Sequence, residues 1–268
     1  MTAGPVAGGQ ARAALGHTAQ PMSARIHIDS PLAAGAELPL PPNASRHVQV
    51  LRLQPGAPLV LFDGLGGEWA AEVLDMGRKV VTARVLAHQP VERELATAVT
   101  LALGMPANER MDTLVEKATE LGVAAIQPLV CERSVLRVAG DRAERKAAHW
   151  QAVAVAACEQ SGRNHVPAIA APLPLREWLA ALPAADPAAG RRLVLSLVPG
   201  TRPLLATLAG ATLPTLVLSG PEGGLSPAEL AAAQAASFQA VTLGARVLRA
   251  DTAPLAVLAC VAALETAT

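Results

Sequence analysis

The chain has 268 residues, enough for one large domain or two modest ones. Hydrophobic residues make up 51% and charged residues 16%, which excludes a disordered chain. Lys+Arg and Asp+Glu both number 22, so the formal net charge is +0; this excludes coating nucleic acid by bulk charge and leaves room for a local basic groove.

The first twenty residues, rich in Gly and Ala, lack the apolar stretch of a secretory signal and read as a disordered tail over residues 1–22. Short β patterns follow. Arg25 to Ile28 alternates, Pro58 to Phe62 is an apolar run, Glu68 to Leu74 sets Trp69, Ala71 and Val73 on one face, and Lys79 to Leu86 is another strand. Strands this short, punctuated by Gly and Pro, predict a small antiparallel sheet or barrel. Between them Asn43 to Leu53 reads as a short helix behind an Asn cap, ended by Pro55-Gly56. The loop DGLGG, Asp63 to Gly67, resembles a nucleotide loop at first sight. Its glycines are not spaced G-x-G-x-x-G and a strand follows it, so a hairpin turn is the better reading.

The pattern changes between Gln89 and Leu95. Strands at Ala98–Leu103, Val123–Val130, Leu193–Val198, Thr215–Ser219 and Ala240–Leu243 then alternate with helices at Arg110–Leu121, Arg142–Gln160, Ser226–Ala236 and Thr252–Glu265. That alternation predicts a parallel α/β sheet. Gly122 and Gly162 stand where helix C-terminal caps belong. Leu182 to Gly190 reads as a loop. The longest apolar run, Ala253 to Leu264, is shorter than the ~20 residues a bilayer needs, and a cytoplasmic protein is expected.

Cys131, Cys158 and Cys260 are odd in number and far apart, which fits a reducing compartment and no disulfide frame. The histidines show no metal-like spacing, so no metal is expected. The only lysines are Lys79, Lys117 and Lys146. Arginine is the better fork for phosphate and planar bases, although genome composition gives the same bias.

Two loops stand out. GPEGG, Gly220 to Gly224, leaves a buried strand and enters a helix through Ser226-Pro227-Ala228-Glu229, a capping box with Pro in its first turn. It therefore lies at the carboxyl end of a strand, where open α/β sheets bind ligands. Glu222 argues against phosphate there and favours an uncharged or cationic ligand; an ordinary tight turn is the alternative. The second loop, Leu243 to Thr252, also joins a strand to a helix. Arg246 and Arg249 within it point to an anionic ligand or RNA phosphate, or to a solvated helix end. Arg163, Asn164 and His165, after the second helix of this half, fit either a polar site or a wet loop.

KATELGV (Lys117 to Val123), ERS (Glu132 to Ser134), ACEQSGRN (Ala157 to Asn164), GPEGGLS (Gly220 to Ser226) and the run Leu243 to Ala253 occur in order. Together they resemble the RsmE-type 16S rRNA (uracil-N3)-methyltransferases of the SPOUT superfamily. RHVQVLRL (Arg46 to Leu53) is similar to that family's N-terminal PUA-like domain. The resemblance covers residues 23 to 266. It implies a PUA-like β-barrel domain over 23–92 and a parallel α/β methyltransferase domain over 95–268 with a deep trefoil knot. It also implies S-adenosylmethionine (SAM) as cofactor, a homodimer, and 16S rRNA or the assembled small subunit as partner.

The same resemblance implies cofactor contacts from Leu197, from Gly220, Pro221, Glu222, Gly223, Gly224 and Leu225, and from Leu243, Gly244, Arg246, Val247 and Leu248. Arg249, Asp251 and Glu222 become the catalytic candidates, with Glu159 a further carboxylate. Arg25, Arg46, Arg52, Arg133, Arg163 and Asn164 become the RNA contacts. Ala250-Asp251 stands where the family usually has Thr-Glu, which keeps a carboxylate and loses a hydroxyl. Rival expectations are a ribose 2′-O-methyltransferase on the same fold, an RNA-binding protein without catalysis, and a small-molecule α/β enzyme.

Overall fold

The computed structural model describes residues 23–210 and 212–265, so the expected tail lies outside the described residues. The first unit contains β1 (Ala24–His27), β2 (Glu37–Pro39), α1 (Pro42–Val50), β3 (Pro58–Phe62), β4 (Glu68–Met76) and β5 (Val81–Gln89). These form one five-stranded sheet in the order β1-β3-β4-β5-β2. Alternate residues point to one side, and Ile26, Leu59, Leu61, Val73, Val81 and Val85 form its core.

The sheet is mixed rather than wholly antiparallel, because β1 pairs with β3 in parallel. The intervening β2–α1 segment is long enough to make that crossover, which no hairpin can. The helix begins behind Pro41 with Pro42 in its first turn and has no side-chain cap, so Asn43 is not its cap. DGLGG is a turn of the antiparallel β3–β4 pair, with the Leu65 amide donating to Asp63 Oδ1 at 3.1 Å.

The second unit contains β6 (Val99–Gly104), α2 (Asn108–Glu120), β7 (Ala125–Val130), α3 (Asp141–Ser161), β8 (Ala168–Ile169), β9 (Leu173–Pro174) and α4 (Leu175–Ala181). It continues with β10 (Arg191–Leu195), β11 (Arg202–Pro203), α5 (Leu204–Leu208), β12 (Thr215–Ser219), α6 (Pro227–Ala235), β13 (Gln239–Thr242) and α7 (Thr252–Glu265). The sheet runs β11-β13-β10-β12-β6-β7-β8, with β9 also on β7, and its pairings are parallel. The short pieces β2, β8, β9, β11, α4 and α5 have too few residues to leave a period in the sequence.

Both faces of this sheet are covered, as parallel sheets require. Leu101 and Leu103 of β6 face a core with Met111, Leu114, Trp150, Val257 and Val261 from α2, α3 and α7. Ala102, between them, faces the opposite core with Trp178, Ala233 and Phe238. At the end of α7 the Glu265 carboxylate accepts from the amides of Ala96 and Thr97 at 2.8 and 2.7 Å, tying the last helix to the entry of the domain.

Candidate active site at the ends of three parallel strands

After β10 the chain forms the short edge strand β11, then β12 on one side of β10 and β13, between β10 and β11, on the other. The loops after β12 and β13 therefore flank the carboxyl end of β10, the kind of crossover point where open α/β sheets hold ligands. A cavity of about 500 Å³ lies there. Leu195 to Val198 line it from the end of β10, Gly220 to Glu222 with Gly224 and Leu225 from one loop, and Arg246 to Ala250 from the other.

The GPEGG loop is held on two sides. Glu222 Oε1 accepts from the Ala107 amide at 3.1 Å and lies 3.5 Å from Arg110 Nη1, so it sits at the positive N-terminus of α2. On the other side Arg133 Nη1 donates to the Gly223 carbonyl at 3.0 Å. The capping box is complete: the Glu229 amide donates to Ser226 Oγ and the Ser226 amide to Glu229 Oε2, at 3.3 and 2.8 Å. Glu229 also accepts from the Glu132 amide at 2.7 Å through its other oxygen, a second role that sequence reading missed. Gly104 ends β6 under the same loop; a Cβ there would lie 2.5 Å from the Pro221 nitrogen, so only glycine lets the two backbones meet.

The expected cofactor residues divide. Leu197, Gly220, Pro221, Glu222, Gly224, Leu225, Leu243, Arg246, Val247 and Leu248 line the cavity, as does Arg249. Gly223 and Gly244 do not. A Cβ on Gly223 would lie 2.9 Å from Arg133 Cβ, so position 223 presses on that arginine. Arg110 does line the cavity and went unnoticed in the sequence, where a helix-face arginine gives no signal. Asp251 stands at the end of the second loop without lining the cavity, and among the described residues its carboxylate has a single 3.5 Å contact, from Thr252 Oγ1. Glu222 is the carboxylate at the rim, already engaged by α2, and Glu159 is spent on the His27 amide at 3.0 Å.

The expected RNA contacts divide too, and here the structure corrects the sequence. Arg163 and Asn164 are buried, and Arg25 is nearly so. Arg163 pairs with Glu94 and donates to the Thr119 carbonyl. Asn164 donates to the Val91 carbonyl at 2.6 Å and accepts from Arg25 at 2.7 Å. Arg25 and Arg93 share Glu68 at 2.6 and 3.0 Å. These residues form the seam between the two units, because DGLGG packs against the loop after α3 through the Leu65–His165 bridge. Gly162, at φ 85°, turns the chain out of α3 into that seam. Burial raises the Glu68 pKa, yet the hydrogen bonds from Arg93 and Arg25 outweigh it and hold the group below the usual glutamate value. Arg46, Arg52 and Arg133 remain exposed.

The cavity's size suits a cofactor. Leucines offer apolar surface for an adenine, glycine backbone allows close approach, and the Glu222 carboxylate suits a cationic group. Among the described residues no acidic, Cys or His cluster is arranged to hold a metal.

Known proteins bear on this geometry. Residues 93–262 match a model of an RNA methyltransferase domain, and residues 40–86 match an RNA methyltransferase PUA domain. The chain is 38% identical over 222 residues to the ribosomal RNA small subunit methyltransferase E of a Synechocystis strain, covering 81% of this chain and 69% of that protein. It is 29% identical to the protein of the same name in Bacillus subtilis, covering 80% and 84%. Among solved structures, ribosomal RNA small subunit methyltransferase E from Neisseria gonorrhoeae bound to SAM superposes with a TM-score of 0.82. It is 35% identical and covers 90% of this chain and 98% of that one. A putative methyltransferase of Legionella pneumophila in complex with SAM gives the same TM-score and coverage at 30% identity.

Proposed function

The chain belongs to the RNA methyltransferase family, with the ribosomal RNA small subunit methyltransferases E as relatives, and from that premise we propose that this SAM-dependent 16S rRNA methyltransferase methylates N3 of one uridine. The observation behind the reading is the convergence of two strand-end loops on one cavity beside β10, in the domain matched to the methyltransferase model.

SAM supplies an electrophilic methyl group on a cationic sulfur. Leu197, Leu225, Leu243 and Leu248, with the backbone of Gly220 to Leu225, would hold it. The chain's own work is to align the uracil with that methyl and to manage the proton that N3 loses. Arg246 and Arg249 line the cavity and form no ion pair among the described residues. They offer cationic donors to the uracil oxygens as negative charge grows on the ring. Of the three carboxylate candidates Glu222 lines the cavity, and Asp251, next to the lining residue Ala250, has the fewest competing contacts among the described residues; the N3 proton falls to one of these two. The target base must leave its stack to enter such a pocket.

The unit with the five-stranded sheet, residues 23–92, serves as the RNA-docking domain in this reading, and residues 95–268 as the chemical one. Gln49 Nε2 donates to the Gly77 carbonyl at 2.9 Å, which sets the β4–β5 turn beside α1. Arg46, Arg52, Arg78 and Lys79 are exposed on the segments this bond joins, and we assign them to one basic surface. Leu197, Val198 and Val247 are 52%, 40% and 84% exposed around the cavity, and a second copy of the chain would cover them. A homodimer, the knotted path of the last helix and a cytoplasmic location belong to the same proposal. Light scattering at micromolar concentration tests the dimer; a fully active monomer would remove it.

The deciding experiment is nucleoside mass spectrometry of rRNA from a strain lacking the gene. The expected result is loss of 3-methyluridine from 16S rRNA, restored by the gene. Loss of a ribose-methylated nucleoside instead would transfer the reaction to the 2′-hydroxyl.

A further inference from the structure

We propose that Arg133 is a positioning residue that couples the docking of an RNA phosphate to the shape of the cofactor loop. The proposal rests on the methyltransferase reading and adds a link between its two ligands.

Arg133 lies in the loop between β7 and α3, and its side chain is exposed. It donates to the Gly223 carbonyl at 3.0 Å. A guanidinium has five N–H donors in a planar fork, so one such bond leaves donors for a phosphate. The contact with Gly223 is also close: a Cβ at that glycine would stand 2.9 Å from Arg133 Cβ and 3.4 Å from its Cδ. The β7–α3 loop is also pinned to the helix that follows GPEGG, where the Glu132 amide donates to the carboxylate of Glu229, the residue that completes the Ser226 capping box. Arg137 stands on the same loop, exposed, with one bond to the Glu132 carbonyl at 2.9 Å, and Val135 between them is 77% exposed. This loop thus offers cations outward and grips the cofactor loop inward.

An RNA phosphate on the outer donors of Arg133 holds the guanidinium in the orientation that bonds the Gly223 carbonyl. The fixed guanidinium holds the Gly223 carbonyl and restricts the GPEGG loop to the shape that lines the cavity. Linkage then makes the effect mutual: RNA tightens SAM binding, and SAM tightens RNA binding by the same factor.

The test is calorimetric titration of SAM into the full chain, with and without a small-subunit rRNA transcript. For the unaltered protein the ratio of the two SAM dissociation constants should be about fivefold or more. Arg133→Ala should bring the ratio to one while SAM alone still binds. Arg133→Lys keeps a charge for phosphate and loses the fork, so RNA affinity should largely survive without the coupling. Gly223→Ala approaches from the other side: its methyl displaces Arg133, and the ratio should again fall to one. Inorganic phosphate in place of the transcript should leave SAM affinity unchanged; an effect equal to the transcript's would overturn the RNA coupling. An unaltered ratio in Arg133→Ala, or a ratio of one in the unaltered protein, overturns the proposal. A chain that bound neither SAM nor rRNA would instead overturn the methyltransferase reading.

Discussion

Two groups of arginines in this molecule look alike in the sequence and differ in kind in the structure. Arg25, Arg93 and Arg163 sit at the seam between the two units, paired with Glu68 and Glu94. Arg246 and Arg249 sit at the cavity and make no ion pair among the described residues, while Arg110 only approaches Glu222 at 3.5 Å. The partners of the first group are supplied by the chain; those of the second are not found among the described residues, and under the proposed function they are left for a ligand. A net charge of +0 still permits RNA binding, because a local cluster of exposed cations attracts phosphate whatever the total.

The largest expected effect belongs to the seam. Arg163→Ala removes a buried arginine and leaves the partly exposed Glu94 and the Thr119 carbonyl without it, which costs about 3 kcal/mol. Urea denaturation should show this loss, with SAM affinity of the remaining folded protein preserved. Arg249→Ala should do the opposite. Stability should stay within ~0.5 kcal/mol. Turnover should fall by roughly 10²–10³, as for loss of one donor to developing negative charge. If both variants unfold alike, the division between paired and waiting arginines fails.

A smaller effect sharpens the comparison on the docking surface. Arg46→Ala should weaken rRNA binding and lower the slope of log affinity against log salt by ~0.7–0.9, with SAM affinity unchanged. A slope that does not move would take Arg46 out of the RNA interface.

The smallest effect is acid sensitivity at the seam. The folded Glu68 pKa lies below its ordinary value near 4.5, so the group's contribution is complete above that value and fades as pH falls through the folded one. Amide protection at residues 63–67 and 162–166, with the intrinsic exchange rate divided out, should fall below about pH 4.5. Glu68→Gln should flatten that dependence, and an equal acid response in the variant would assign it to another group.

Much of this was legible in the residues themselves. The long helices and the strands of the parallel sheet, the Ser226–Glu229 capping box, the Gly162 cap and the DGLGG turn depend on neighbours within a few positions, and local chemistry settles them. The ordered motifs likewise marked the two loops that line the cavity. Other facts depended on tertiary structure. Arg25 meets Asn164 across 139 positions, and Arg163 meets Glu94 across 69, so no local pattern separates them from the exposed Arg46. Glu222 appeared free to act as a base until α2 brought the Ala107 amide to it. The parallel pairing of β1 with β3 and the mouth formed by three strand ends are equally non-local. Periodicity and capping are written in adjacent residues, whereas the partner that neutralises a charge is chosen only when distant segments pack.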